Sequence, residues 1–142
     1  MMKKFLTILM AVCVSIGAWA AEPETIQPKK LPHLAQKIIA AYFVGDEVAE
    51  AHKEKSKFDV AYDAKLASGA YLTFDKQGNW TSVVATPMPK RIIPGRIINY
   101  FNANGISCDN VVALYHDRSG GFYLVNFADG TTLSFDEQFN RI

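Results

Sequence analysis

Gly69-Ala70-Tyr71-Leu72-Thr73-Phe74-Asp75-Lys76-Gln77-Gly78-Asn79 decides the fold, because it returns 61 residues further on as Gly130-Thr131-Thr132-Leu133-Ser134-Phe135-Asp136-Glu137-Gln138-Phe139-Asn140. In both copies alternating apolar residues run from a glycine to an Asp-led turn, the signature of a short β-strand between tight turns. Upstream, Ile39-Ala40-Ala41-Tyr42-Phe43 is echoed by Ile97-Ile98-Asn99-Tyr100-Phe101 at an offset of 58. A unit this short cannot bury its apolar face alone, so two copies are expected to share one core. The expected architecture is α+β: two tandem helix–antiparallel-sheet repeats, residues 31–87 and 88–142, forming one continuous sheet with helices on one face. Together they make a single domain over 31–142.

Immediately before the first copy, Phe58, Val60, Tyr62, Ala64 and Leu66 alternate with Asp59, Ala61, Asp63 and Lys65. Such a period of two predicts a strand with one apolar face. Parity then selects the turn. A two-residue turn at Ser68-Gly69 would set Leu72 opposite Lys65. A three-residue loop, Ala67-Ser68-Gly69 with a left-handed Gly69, sets Ala64 opposite Leu72 and Tyr62 opposite Phe74, keeping one face apolar. The same rule places Trp80 opposite Phe74, Val125 opposite Leu133 and Tyr123 opposite Phe135. Phe139 stands where the first copy has Gly78, and a left-handed Phe is strained, so the last turn is expected to differ.

Each strand set follows a helix. Leu31-Pro32 opens the first, with Leu31, Leu34, Ile38 and Tyr42 at helical spacing, Ile39 widening the stripe and Gly45 ending it. Glu47 to Glu54 reads as a charged edge strand. The second helix is expected from Pro94 to Asn104, with Ile93, Ile97, Tyr100 and Phe101 inward. Strands are expected at 111–116, 122–127 and 131–135.

The N-terminal end carries an export address. Lys3 and Lys4 precede an apolar run from Phe5 to Gly17, and Ala18-Trp19-Ala20 is a cleavage signal. Residues 1–20 are therefore expected to be a signal peptide, 21–30 a tether, and the mature chain periplasmic or extracellular, without membrane insertion. Losing Lys3 and Lys4 takes 15 basic side chains to 13 against 14 acidic ones, a net charge of −1 with neutral His. A near-neutral chain without a basic cluster has no footprint for nucleic acid. Cys108 alone remains after cleavage, which excludes an internal disulfide and leaves packing to hold the fold.

Chemistry-bearing motifs are missing. No Gly-x-Ser-x-Gly elbow, His-Glu-x-x-His, Cys-x-x-Cys or Gly-rich phosphate loop occurs. His33, His52 and His116 lack metal-ligand spacing and read as solvated surface residues. Asp75 to Asn79 lacks the alternating oxygens of a calcium loop and is explained by turn chemistry. Asp59 and Asp63, four apart on a strand, are too distant to share a proton. Ser119 sits in a hairpin loop without a basic partner. No catalytic residue, metal site or cofactor is expected, and the chain reads as no enzyme.

Strand parity also divides the aromatic residues. Phe58, Tyr62, Phe74, Trp80, Tyr123, Phe127 and Phe135 are assigned to the helix side. The opposite, open face is expected to carry Asp63, Lys65, Tyr71, Thr73, Phe122, Leu124, Asn126 and Thr132, with Ser134 beside them. Apolar anchors set among polar residues are the composition of a protein-recognition surface. These eight are the candidate partner-binding residues.

The run from Leu31-Pro32 through a helix ending Tyr42-Phe43, into Leu66-Ala67-Ser68-Gly69 and then Leu72-Thr73-Phe74-Asp75-Lys76-Gln77-Gly78-Asn79-Trp80, resembles the PepSY-like family of small exported bacterial proteins. The resemblance spans 31–142 and implies a fold similar to the beta-lactamase inhibitor protein, whose sheet face grips a protein. PepSY domains proper are similar in implying modulators of secreted peptidases. No catalytic residue comes with the resemblance. The function expected is an exported binding module recognising a protein or peptide through the open sheet face, as an inhibitor or modulator of an envelope enzyme. The alternative is a structural or small-ligand-binding envelope protein.

Overall fold

The computed structural model describes residues 23–142. The expected signal peptide, and the first two residues of the expected tether, lie outside the described residues. Eight strands form one open antiparallel sheet in chain order: β1 (Glu24–Ile26), β2 (Val48–Lys55), β3 (Val60–Leu66), β4 (Tyr71–Phe74), β5 (Trp80–Val84), β6 (Val111–Asp117), β7 (Phe122–Phe127) and β8 (Thr132–Asp136). Two helices, α1 (His33–Tyr42) and α2 (Gly95–Ala103), complete an α+β fold.

Turn chemistry sets the register. Between β3 and β4, Leu66 N–H donates to the Ala70 carbonyl at 2.8 Å and Gly69 N–H to the Leu66 carbonyl at 2.9 Å. Gly69 takes a φ of 99°, a conformation that costs glycine little. Ala64 therefore faces Leu72 and Tyr62 faces Phe74, as side-chain parity requires. The β7–β8 loop closes the same way. Phe127 N–H donates to the Thr131 carbonyl and Gly130 N–H to the Phe127 carbonyl, both at 2.9 Å, pairing Val125 with Leu133 and Tyr123 with Phe135.

The core is a single cluster under both helices. Leu72, Phe74, Val83, Leu114, Val125 and Phe135 reach it from the sheet; Ala35, Ile39, Ile97 and Phe101 reach it from the helices. Burying one such large apolar side chain contributes about 1.5–3 kcal/mol. An extra residue at Val112 shifts the β6 register between Val111 and Ala113, so Val111 and Leu114 both join the core.

Several expectations need correction. The buried residues of α1 are Ala35 and Ile39, flanked by Leu31 and Phe43; Ile38 and Tyr42 pack half-buried against the core as expected, while Leu34 is 40% exposed. The cause is a close approach: a Cβ on Gly78 would lie 2.9 Å from the Ala35 backbone nitrogen. The start of the helix thus rests on the β4–β5 turn, with the Ala35 nitrogen and the Pro32 and Leu34 Cβ atoms against Gly78. Phe58, assigned to the core, is 90% exposed. It belongs to the β2–β3 turn, closed by Ser56 N–H on the Asp59 carbonyl at 2.8 Å, and strand alternation begins only at Val60. Part of the expected tether is ordered as β1 and a 3-10 turn, Pro28–Lys30. Ile26 lies opposite Ala51, so β2 is not the sheet edge along that stretch.

The last turn does not differ. Phe139 N–H donates to the Asp136 carbonyl and Asp136 N–H to the Asn140 carbonyl, both at 2.9 Å, as Gly78 N–H to Asp75 (3.0 Å) and Asp75 N–H to Asn79 (2.9 Å) do in the earlier turn. Phe139 adopts the left-handed backbone after all, at φ 66°. Its ring stacks on Tyr123 with centroids 5.1 Å apart, a contact that offsets the local strain.

Candidate functional site on the open sheet face

Antiparallel pairing lines up side chains across a sheet, and residues directly opposite share a face. On the face away from the helices, one transverse row crosses all eight strands: Thr25, His52, Asp63, Thr73, Ser82, Tyr115, Leu124 and Ser134. A second row, one step along, runs Glu50, Lys65, Tyr71, Val84, Ala113, Asn126 and Thr132. Phe122 belongs to a third, opposite Asp117 and Asp136. All eight predicted partner-binding residues occupy this face. Asp63, Thr73 and Leu124 fall in the first row; Lys65, Tyr71, Asn126 and Thr132 in the second.

Between Thr25 and the far edge, every member of the first row is half-buried, and its polar atoms engage one another. His52 Nδ1 and Asp63 Oδ1 lie 2.8 Å apart. Thr73 Oγ1 is 2.6 Å from Ser82 Oγ and 2.7 Å from Thr81 Oγ1. In the second row Thr132 Oγ1 donates to Asn126 Oδ1 at 3.0 Å. Burial raises the pKa of the Tyr115 phenol above its ordinary value, because a phenolate loses more solvation than a phenol. The centre of the face is therefore a neutral phenol beside Leu124, flanked by a hydroxyl cluster and then by the hydrogen-bonded His52–Asp63 pair.

His52, Ser82 and Tyr115 were not among the sequence-predicted residues. The His52–Asp63 pair depends on the register of β2, which is displaced between Val48 and Glu50, and no local pattern announces that shift. Ser82 and Tyr115 meet only because β5 pairs with β6. An alternating polar residue on β5 was the available signal for Ser82.

Of the other two histidines, His33 is exposed and His116 corrects the reading of solvated surface residues. His116 is 7% exposed on the helix side, with Nε2 2.9 Å from Glu137 Oε1. Its ring stacks on Tyr123 at 4.0 Å and 8°. Asp75 Oδ1 accepts from the Gln77 and Asn79 amides at 3.0 and 2.9 Å, so turn capping engages that carboxylate. Among the described residues no three of His, Cys, Asp and Glu come together as a metal group. Cys108 is a half-buried free cysteine, and no helix among the described residues is long and apolar enough to cross a membrane.

Residues 60–142 match the family model described as "Putative beta-lactamase-inhibitor-like, PepSY-like". A solved structure of a "putative periplasmic protein" of the DUF2874 family from Bacteroides vulgatus superposes with a TM-score of 0.77 at 33% identity, over 87% of this chain and 96% of that one. The chain belongs to the PepSY-like family. A second solved structure, described as a "putative calcium-regulated periplasmic protein" from Bacteroides thetaiotaomicron, gives a TM-score of 0.76 at 32% identity, over 84% of this chain and 94% of that one. A third, from Bacteroides vulgatus and described as of unknown function, gives 0.74 at 27% identity, over 85% and 97%. No curated protein resembles the chain closely enough to count as a relative. The family and these neighbours carry no catalytic description, and the neighbours are described as periplasmic.

Proposed function

We propose that this PepSY-like protein is an exported, non-catalytic binding module whose open sheet face docks a protein or peptide of the cell envelope. The observation that carries the reading is the half-buried first row, unbroken from His52 to Ser134. His52, Asp63, Thr73 and Ser82 are satisfied within the face, so a partner that covers it needs to meet only the Tyr115 and Ser134 hydroxyls. Tyr115, Leu124 and Phe122 supply apolar anchor area of the kind that dominates binding energy.

The wider reading has further support. The two identically closed loops and the two identically closed Asp turns favour tandem repeats over 31–87 and 88–142. Juxtaposed repeats give a broad face in place of a deep pocket. The basic, apolar and Ala-x-Ala segments at the N-terminal end favour a cleaved signal peptide, and the periplasmic description of the neighbours agrees with export. The inhibitor-like description of the family makes an envelope enzyme the partner class to examine first.

Affinity capture from envelope extract tests the proposal, using the wild-type chain, a Tyr71→Ala/Phe122→Ala variant and a Leu34→Ala control on the helix side. Proteins retained by wild type and control but lost from the double variant are expected. Identical profiles for all three overturn the choice of face.

A further inference from the structure

We propose that the outer edge of β8, from Thr131 to Ser134, is an acceptor for an extended apolar peptide strand, a site separate from the open sheet face. The inference rests on the correspondence between the two halves of the chain. The molecule carries the occupied form of this edge in its first half. There β5 flanks β4, with Val83 opposite Leu72 and Val84 opposite Tyr71, and Leu72 is 0% exposed. Leu133 and Thr131 stand at the places of Leu72 and Ala70. Yet Leu133 is only half-buried and Thr131 is exposed, whereas Ala70 is buried. The preceding hairpins close identically, so the flanking strand accounts for the difference.

Backbone direction makes the edge usable. The Thr131 carbonyl accepts from Phe127 N–H on β7, while the Ser134 carbonyl accepts from Ile142 N–H at 3.0 Å on the outer side. Backbone groups alternate along a strand, so the amide and carbonyl of Thr132 turn outward in line with those of Ser134. Among the described residues, pairing on this outer side is confined to Ile142 N–H and the Phe135–Arg141 bridge. Beside it, between the end of α2 and the β7–β8 loop, lies a groove of about 580 Å³ lined by Ile106, Phe127 and Leu133. The corresponding space at the end of α1 is about 380 Å³ and is walled by Val84, Ala85, Thr86 and Pro87.

The first half therefore specifies the occupant. It is a strand antiparallel to β8, with small or β-branched apolar residues at the positions of Val83 and Ala85 covering Leu133. A residue at the position of Val84 exchanges backbone hydrogen bonds with Thr132. This is β-strand addition, in which main-chain bonds hold the peptide and alternate side chains select it.

The probe is a free peptide with the sequence of Val83–Pro87, which stops short of the stretch of β8 already paired with Arg141 and Ile142, titrated into the isotope-labelled full chain. Amide shifts and slowed hydrogen exchange are expected at Thr132, with shifts at Leu133 and Ile106. Methylating the peptide nitrogen of Val84, or placing Val83→Asp and Ala85→Asp in the peptide, is expected to weaken binding by about tenfold or more. These changes leave the protein untouched, so misfolding cannot mimic them. Undiminished binding of the methylated peptide, or shifts away from β8, overturns the proposal. So does slow exchange at Thr132 without peptide, accompanied by dimers in sedimentation, since a second copy then fills the edge. The open-face variant Tyr71→Ala/Phe122→Ala is expected to bind the probe as wild type does, which separates failure here from failure of the docking face.

Discussion

Gly78 and Phe139 occupy the same place in two turns closed by the same backbone hydrogen bonds, and both have positive φ, 95° and 66°. What differs is the neighbour. At Gly78 an added Cβ would meet Pro32 Cβ and the Ala35 nitrogen at 2.9 Å. At Phe139 the side chain has room to stack on Tyr123, and the Arg96 guanidinium lies 5.7 Å from its ring centroid. Left-handed backbone costs a non-glycine residue roughly 1–2 kcal/mol, and losing a half-buried aromatic stack costs about as much or more. Phe139→Gly is therefore expected to lower unfolding free energy by only about 1 kcal/mol. Gly78→Ala, which adds strain and collision together, is expected to cost about 2 kcal/mol or more. Urea denaturation of both variants checks the order; Gly78→Ala proving the milder change refutes this account.

The His116–Glu137 pair makes a different kind of prediction. His116 is buried while the Glu137 side chain is 40% exposed. Removing the carboxylate strands a buried ring nitrogen, at a cost of about 1–3 kcal/mol. Glu137→Ala is expected to destabilise by that amount, and adding His116→Leu to restore part of it, because the apolar isostere demands no partner. A thermodynamic cycle from four denaturation curves decides the matter. Additive losses in the double variant would show that stacking on Tyr123, and not the hydrogen bond, holds the ring.

Hairpin register was legible in the chain because a strand's side-chain period is two and Gly69 and Gly130 mark where each loop turns. Helix existence was legible too, and so was most of each inward face: Leu31, Ile38, Ile39 and Tyr42 of the first stripe and Ile93, Ile97, Tyr100 and Phe101 of the second reach the core, with Leu34 the exception. Leu34 outweighs Ala35 on hydropathy, yet Ala35 is buried and Leu34 lies over the Gly78 turn at 40% exposure. β1 is three residues long, too short for any alternation to register. The open face was half legible. Lys65, Tyr71 and the other predicted residues follow from parity within each hairpin. His52, Ser82 and Tyr115 complete the row only through a β2 irregularity and the β5–β6 pairing, both set by tertiary packing.

That completed row predicts which open-face changes are separable from stability. His52 and Asp63 side chains are 29% and 20% exposed, and a partly solvated side-chain pair of this kind contributes about 0–1 kcal/mol. Asp63→Ala is expected to shift unfolding free energy by no more than about 1 kcal/mol while changing the proteins captured from envelope extract. Thermal melts and capture are read on the same preparation. A large loss of stability would make the pair a structural clamp and withdraw it from the docking face.

Acid should act most strongly on the second half of the sheet, where three carboxylates held low by hydrogen bonds stand against one in the first, Asp46, which the Ser68 hydroxyl holds below its ordinary value. The Asp117, Asp129 and Asp136 carboxylates are held below their ordinary value of 3.8 by the Gly120 amide, the Thr131 hydroxyl and the Asn140 amide respectively. Each donor favours the ionised form in the folded chain. The unfolded chain therefore takes up these protons first as pH falls. The stability they contribute is fully present above 3.8 and is lost as pH drops through the lower folded-state values. All three cap turns of the β6–β7–β8 segment, so hydrogen exchange at pH 3 is expected to open the amides of Gly120, Thr131 and Asn140 before those of β3 and β4. Asp136→Asn keeps the turn's shape but removes the titrating charge, and should flatten the acid limb of the melting curve. An acid limb unchanged by Asp136→Asn, together with uniform opening of both halves, would place the acid sensitivity elsewhere in the fold.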